Sequence, residues 1–361
     1  MEISRQIYTY KELKEGLDLG RDDYGIAAMC SKPLRDAFSN NPYLSDFDFP
    51  FLYLGRCDGV AAGIAMWFPT KVKIGDTIVQ STGGSTLEVY KDYRKYEIGA
   101  DIMMYPIMTK GFNFLLYAGI SEDALKIYKK IKFTVFEYPR AMRVCNSRSI
   151  LESKGISGIF LNLSTCLCNS VLKLWYAITK LFSSNYGMYV IKKLDEVPSW
   201  VDNMVLNDGH NYMEVHDQKW LQWNLTYNLH GENDDIQSFY GIYKNNQPEA
   251  FFMTKERYRG LAGGVLKNVV IGSIMEWAIS PFSKLKEDDI YRMAVPTFNK
   301  KVDIIEYATD DLLIVKKMKK FGFIPHGFAH IVLKDLSKKY KDINDMSKWR
   351  IRFGYSDVFL T

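Results

Sequence analysis

Cysteine is scarce and odd in number, five in 361 residues, and no repeated metal-type spacing relates them. That excludes a disulfide framework and points to a reducing compartment. Cys166 and Cys168 form a C-x-C pair with no histidine nearby to complete a zinc site, so they read as small buried hydrophobes and no metal is expected. Nor is there a dense block of one charge. The 47 Lys and Arg against 42 Asp and Glu leave a net charge of +5 spread along the chain, which gives no footprint for nucleic acid. The cluster Lys316, Lys317, Lys319 and Lys320 falls at helical spacing and reads as a solvated face. The first residues, MEISRQIYTYKELKEG, lack the basic-then-apolar order of a secretory signal and read as the start of a mature cytoplasmic protein. Long unbroken apolar runs are missing too. The nearest approach, Ile156 to Phe182, is interrupted by Asn162, Asn169, Lys173 and Lys180 and falls short of a membrane span. It is expected to be an amphipathic linker helix packed on the domains, with membrane-surface association as the alternative role.

What is present is ordinary globular protein, 47% hydrophobic, 25% charged and 14% aromatic, in a length that suits two domains. From Phe51 the run FLYLGRCDGVAAGIAMWFP places apolar residues on both sides of Asp58-Gly59, which predicts a hairpin with a two-residue turn. Thr77 to Tyr90 reads as a strand whose Gly83 and Gly84 suggest a bulge or bend. Arg94 to Lys110 is predicted helical, Phe112 to Tyr117 a buried strand, and Ser121 to Lys130 a second helix. Ser121 is its natural cap, and Glu122 and Asp123 suit the dipole of its first turn.

The same order recurs later in the chain. SFYGIY, the turn KNNQP, EAFFMT, NVVIGSIMEWAI, a helix, VDIIEYAT and DLLIVKKMKKFGF repeat strand, turn, strand, strand, helix, strand, helix. Phe133 and Phe323 lie 190 residues apart, and so do Tyr53 and Tyr243. This predicts a duplicated domain, with units at 1–150 and 190–361 joined by a linker at 151–189.

The segment LEVYKDYRKYEIGADIM resembles the central motif of the GCN5-related N-acetyltransferase (GNAT) superfamily, in which a strand ends in a Q/R-x-x-G-x-G/A loop that opens a helix. Here the loop is Arg94-Lys95-Tyr96-Glu97-Ile98-Gly99, continued by Ala100, and Glu97 stands where the family usually has its first glycine. ISEDALKIYKKIKF resembles the later signature, an Asn followed by a helix reading A-x-x-L-Y-x-x-x-G-F. Ser121 takes the Asn position, Tyr128 the tyrosine and Phe133 the closing aromatic, with Lys132 in place of the usual glycine.

The resemblance implies an α/β (α+β) protein with two tandem acyl-CoA N-acyltransferase folds, each a mixed, mostly antiparallel sheet flanked by helices. It implies an enzyme that moves an acetyl or related acyl group from acetyl-coenzyme A to an amine, by direct attack in a ternary complex. The N–H groups of Arg94 to Ala100 would seat the coenzyme A pyrophosphate at the helix N-terminus. Leu87 to Val89 would pair with the pantetheine arm, Ser121 would be a further cofactor-binding residue, and an N–H near Val89 would polarise the thioester carbonyl. Tyr128 would protonate the departing thiolate. Glu88, alternating with Leu87 and Val89, is the candidate general base. No nucleophilic Ser or Cys is needed, and no triad is recognisable.

The second copy has no R-x-x-G-x-G, and Met318 stands where Tyr128 does, so it reads as degenerate and is expected to shape the acceptor site or bind a partner. Trp220, Trp223, Tyr227, Trp277, Glu276 and His230 are its candidate acceptor-pocket residues. The acceptor is expected to be a small amine, such as an amino sugar or amino acid. Two other functions fit the duplication: a FemABX-like aminoacyltransferase that uses aminoacyl-tRNA, and a non-catalytic degenerate pair acting as a binding protein.

Overall fold

The computed structural model describes residues 2–16, 32–181, 186–227, 235–262 and 266–359. In the first half, β1 (Ile3–Thr9) leads through α1 (Tyr10–Gly16) and α2 (Lys32–Ser39) to the hairpin of β2 (Pro50–Cys57) and β3 (Val60–Ile74). Its turn residues Asp58 and Gly59 both take positive φ, 49° and 82°, which matches the twist of the strands they join. Next come β4 (Thr77–Val89), α3 (Ile98–Met108), β5 (Phe114–Ala118), α4 (Glu122–Lys130) and β6 (Thr134–Val144). Ser121 caps α4, its hydroxyl accepting the Ala124 N–H at 3.3 Å.

Two helices, α5 (Arg148–Ser153) and α6 (Gly158–Leu181), lead to the second half. There β7 (Val190–Leu194), α7 (Trp200–Leu206), β8 (Tyr212–Glu214) and α8 (Gln218–Thr226) precede β9 (Ile236–Lys244), β10 (Gln247–Ala262) and β11 (Leu266–Ile279). The chain continues through α9 (Glu287–Ala294), β12 (Ile304–Ala308), α10 (Leu312–Met318) and β13 (Ile324–Asp335). From β5 and β12 onward the repeat keeps the offset of 190. At the hairpin it does not. Asn245-Asn246 is the second turn, three residues early, so Tyr240 and not Tyr243 holds the place of Tyr53.

The strands form one sheet in the order β1-β2-β3-β4-β5-β13-β6-β12-β11-β10-β9-β7, with β8 added on β3. Every strand pair is antiparallel except β4–β5 and β11–β12. The order is symmetric, each element facing its repeat. At the centre the halves exchange strands: β13 lies between β5 and β6, and β6 lies between β13 and β12. The sheet therefore runs through both sequence units. One face carries a core shared by the two halves, with Phe114 and Leu116 joined by Trp220, Met253, Met275 and Trp349. On the other face each half has its own helix-covered core, around Ile98, Leu115 and Tyr128 in the first and around Phe252, Ile290 and Tyr307 in the second.

The linker helix corrects an expectation. α6 sits on the body by its more polar side, and its apolar side faces outward. Lys132, where the family has glycine, is in the left-handed region at φ 59°, and Gly322 holds the same place in the second half at φ 83°. A side chain costs about 1 kcal/mol in that conformation, and glycine returns part of it as unfolded-chain entropy. Lys132→Gly is expected to stabilise the protein by about 0.5 kcal/mol, read as a small rise in Tm. A fall in Tm would show that the lysine side chain contributes more than its backbone costs.

Candidate active site

β4 and β5 run parallel but pair at one position only, Thr82 with Leu115, and then part. A cleft of about 140 Å³ opens between them. Its wall on β4 is bulged: Ile64 pairs with Glu88 and Met66 with Ser85, leaving Thr86 and Leu87 opposite the single residue Ala65. Thr86 takes φ 52° there. The bulge is thus three residues beyond the Gly83-Gly84 that suggested it. Those glycines serve another purpose, since a Cβ on Gly83 would lie 2.5 Å from the Phe68 ring and one on Gly84 2.8 Å from Tyr117.

The strand runs into the N-terminus of α3. The first bond of α3 that reaches back four residues runs from Asp101 N–H to Glu97 C=O, so the N–H groups of Gly99 and Ala100 have no intrahelical acceptor and face outward at the positive end of the helix. Gly99 lies close under β4, its place for a Cβ being 3.3 Å from Val89. Ile98 is buried against Gly55 and Gly63, which roots the first turn in the hairpin. Tyr53 donates to the Asp101 carboxylate and Arg5 pairs with it at 3.2 Å, fixing the helix start from β1 and β2. Glu97 is the N-cap residue, exposed and making no capping hydrogen bond. Arg94 folds back to donate from Nε to the Val89 carbonyl at 2.9 Å, and the Lys95 ammonium lies 4.9 Å from the centre of the Tyr96 ring.

Of the residues expected from sequence, Leu87, Ser121 and Tyr128 line the cleft. Tyr128 is buried, its ring 4.8 Å from that of Phe133 and 5.8 Å from that of Tyr117. Val89 pairs with Gly63 and sits beyond the bulge, outside the cleft lining. Glu88 is exposed on the opposite face from Leu87 and Val89, and it too is absent from the lining. Sequence reading missed Tyr117 and Trp67 as cleft residues, seeing only strand hydrophobes. Burial pushes the Tyr117 phenol up, and the neighbouring Tyr128 adds to the shift.

The second half fills the equivalent space differently. The helix equivalent to α3 is α9, whose first turn carries Glu287, Asp288 and Asp289, a repulsive seat for a phosphate. Asp289 itself accepts the Lys286 N–H at 2.9 Å. Between β11 and β12, Tyr291 stacks on Tyr307 at 4.1 Å, and the Trp277 indole donates to Tyr291 at 3.2 Å. The Arg352 guanidinium lies 3.6 Å from the centre of the Trp277 ring, and Arg350 donates to the Trp277 carbonyl.

The acceptor-pocket expectation fares differently. Trp220, Trp223 and Trp277 are buried, Trp220 and Trp223 in the shared core, because they fill the space between the halves. Tyr227 is half-buried, and His230 lies outside the described residues. Glu276 belongs to a buried ion network that no sequence motif signalled. It accepts from His216 Nδ1 and from Arg350 at 2.8 Å, while His216 Nε2 faces Glu214 at 3.1 Å. Burial pushes the His216 imidazole down, but the hydrogen bonds and charges of Glu214 and Glu276 hold it up, at about 9. Glu214 also accepts the Ser356 N–H at 2.7 Å, and the Ser356 hydroxyl reaches the Gly84 carbonyl of the cleft wall at 3.3 Å. The network thus supports the cleft from behind.

No protein-family model and no curated protein matches the chain. Solved structures do share its fold. A GCN5-related N-acetyltransferase from Anabaena variabilis matches at TM-score 0.54 and 7% identity, over 93% of this chain and 73% of its own. A probable N-acyltransferase from Enterococcus faecalis matches at TM-score 0.55 and 13% identity, over 93% and 72%. Saccharomyces cerevisiae N-myristoyltransferase with bound myristoyl-CoA matches at TM-score 0.55 and 12% identity, over 92% and 82%. The likeness spans both halves, and the chain has the tandem GNAT fold.

Proposed function

We propose that this chain is an acyl-coenzyme A-dependent N-acyltransferase whose reaction takes place in the cleft between β4 and β5, and that its donor is acetyl-coenzyme A. The observation that carries the reading is the asymmetry of the two halves: the first joins an open, bulged cleft to a helix N-terminus with unclaimed amides, whereas in the second Trp277, Tyr291 and Tyr307 pack together in the equivalent place and three carboxylates occupy the first turn of α9. Pantetheine would lie along Leu87, past Ser121, with the pyrophosphate at the N–H groups of Gly99 and Ala100 and beside Lys95 and Glu97. The amides of Arg94, Tyr96 and Ile98, expected in the same role, are taken by the carbonyls of Lys91, Tyr93 and Tyr96. Because Val89 is paired with Gly63, the amide that polarises the thioester carbonyl is assigned to the bulge at Thr86 and Leu87. The amine nitrogen attacks the carbonyl carbon and loses its proton to water, because Glu88, the base expected from sequence, lies on the opposite face of β4 outside the cleft. The C–S bond breaks, its electron pair passes to sulfur, and the Tyr128 hydroxyl supplies the proton. Trp67, Tyr117 and Tyr128 narrow the cleft with rings, which favours a short acyl group over a long chain. The acceptor is a small amine.

Because each half completes the other's sheet, the test uses the whole chain. In calorimetric titrations with coenzyme A, Gly99→Val is expected to press on Val89, displace the loop and weaken binding about 10-fold. Glu97→Gly removes a carboxylate from the phosphate seat and is expected to tighten binding by about 1 kcal/mol. Lys284→Ala, in the equivalent loop of the second half, should change nothing. Loss of binding in Lys284→Ala with none in Gly99→Val would move the site to the second half and sink the assignment.

A further inference from the structure

Among the described residues, the longest helix is inside out. α6 is held to the body by polar contacts: the Asn169 carbonyl oxygen accepts from the Ser147 N–H and hydroxyl, each at 2.9 Å, and the Tyr176 hydroxyl donates to the Val144 carbonyl at 2.6 Å. The Arg143 guanidinium lies 3.6 Å from the centre of the Tyr176 ring. Facing away are Phe160, Leu163, Leu167, Val171, Leu174 and Ile178, each between 47% and 72% exposed. Their steps of three and four residues make one stripe along a helix about 36 Å long. An apolar stripe of that length is more than a soluble surface leaves uncovered, and among the described residues nothing covers it.

Charge decides what does. From Ser153 to Leu194 the sequence contains no Asp or Glu. Lys154 and Lys173 are exposed beside the stripe, and Lys319 and Lys320 are exposed on a short turn that packs against the same helix. A second copy laid on this face would bring lysines together with no carboxylate on the helix to pair them. An anionic surface meets them favourably. Among the described residues no helix is long and apolar enough to cross a bilayer. We infer that α6 docks the protein on an anionic phospholipid bilayer, lying in the plane of the interface with its apolar stripe among the acyl chains and its lysines at the headgroup phosphates. Trp175, beside the stripe and 43% exposed, sits where an interfacial tryptophan belongs.

The experiment is flotation of the full chain with vesicles of phosphatidylcholine and about one third phosphatidylglycerol, against vesicles of phosphatidylcholine alone, with the oligomeric state followed by sedimentation equilibrium. The wild type is expected to float with the mixed vesicles and weakly or not at all with the neutral ones. The triple variant Leu163→Ser, Leu167→Ser, Leu174→Ser changes only exposed side chains, should keep its circular dichroism and Tm, and is expected to bind at least about 10-fold more weakly. Wild type that stays off the mixed vesicles overturns the proposal. If that protein is also a dimer which the triple variant dissociates, the face belongs to a second copy. Undiminished flotation of the variant overturns it as well, by moving the contact elsewhere.

Discussion

Tyr128→Phe is expected to lower turnover about 100-fold while leaving the fold and coenzyme A affinity in place. The phenylalanine ring keeps the packing against Phe133 and Tyr117, so little cavity or strain arises. What is lost is the proton that the departing thiolate takes, worth about 2.7 kcal/mol in the barrier if transfer is concerted with C–S cleavage. The expected signature is a fall in kcat with KM for the donor unchanged, since the hydroxyl acts only once the bond is breaking. Until an acceptor is known, slow hydrolysis of acetyl-coenzyme A serves as the assay, with water in place of the amine. Equal rates for wild type and variant, in an assay limited by chemistry, would return Tyr128 to the role of a core tyrosine.

The second large effect concerns stability. His216→Gln is expected to destabilise the protein by about 3 kcal/mol at pH 6, because Glu214 is left buried without its cation and Glu276 keeps only the arginines. The imidazole titrates near 6.5 in the unfolded chain and at about 9 in the folded one. Between those values the folded state holds a proton that the unfolded state has lost, so stability drawn from His216 is complete below pH 6.5 and drains away as pH rises through about 9. Lys255 works in the opposite sense. Burial chiefly, with the charge of Arg257, brings its ammonium down to about 7, so its contribution improves as pH rises above that value. Lys255 is common to both proteins and cancels from the difference. Denaturant titrations of the two proteins across pH 6 to 9.5 should therefore show the gap between them closing. A gap independent of pH would mean that His216 is not an imidazolium at neutral pH.

Local patterns carried the reading of the first half. Asp58-Gly59 specifies its turn by the φ values it tolerates, Ser121 specifies its helix start by the bond it makes, and the aromatic spacing of Tyr128 and Phe133 follows from one helix and its exit. The cleft residues Ser121 and Tyr128 come from these elements, and Leu87 from the strand the hairpin leads into. The misreadings share a cause. Gly83 and Gly84 were legible as special positions, but whether a glycine relieves the backbone or makes room for a ring depends on Phe68 and Tyr117, one on another strand and one on a third. α6 shows an apolar period that sequence alone assigns inward, and only the polar anchors Asn169 and Tyr176 reveal which side is inward. His216 carries no motif because only Glu214 is its neighbour in sequence; Glu276, and Arg350 that donates to Glu276, come from two distant segments.

The exchange of β6 and β13 also fixes an order of events during synthesis. β5 emerges from the ribosome early, yet the strand that covers its free edge is translated about 200 residues later. Until then the first half has α3 and Tyr128 but a sheet with one unpaired edge, which is open to wrong partners. A complete cleft is therefore a late property of the nascent chain. A stalled or prematurely terminated polypeptide that contains every residue assigned to the cleft should still be inactive and sticky, and holdase chaperones should dwell on it until β13 arrives.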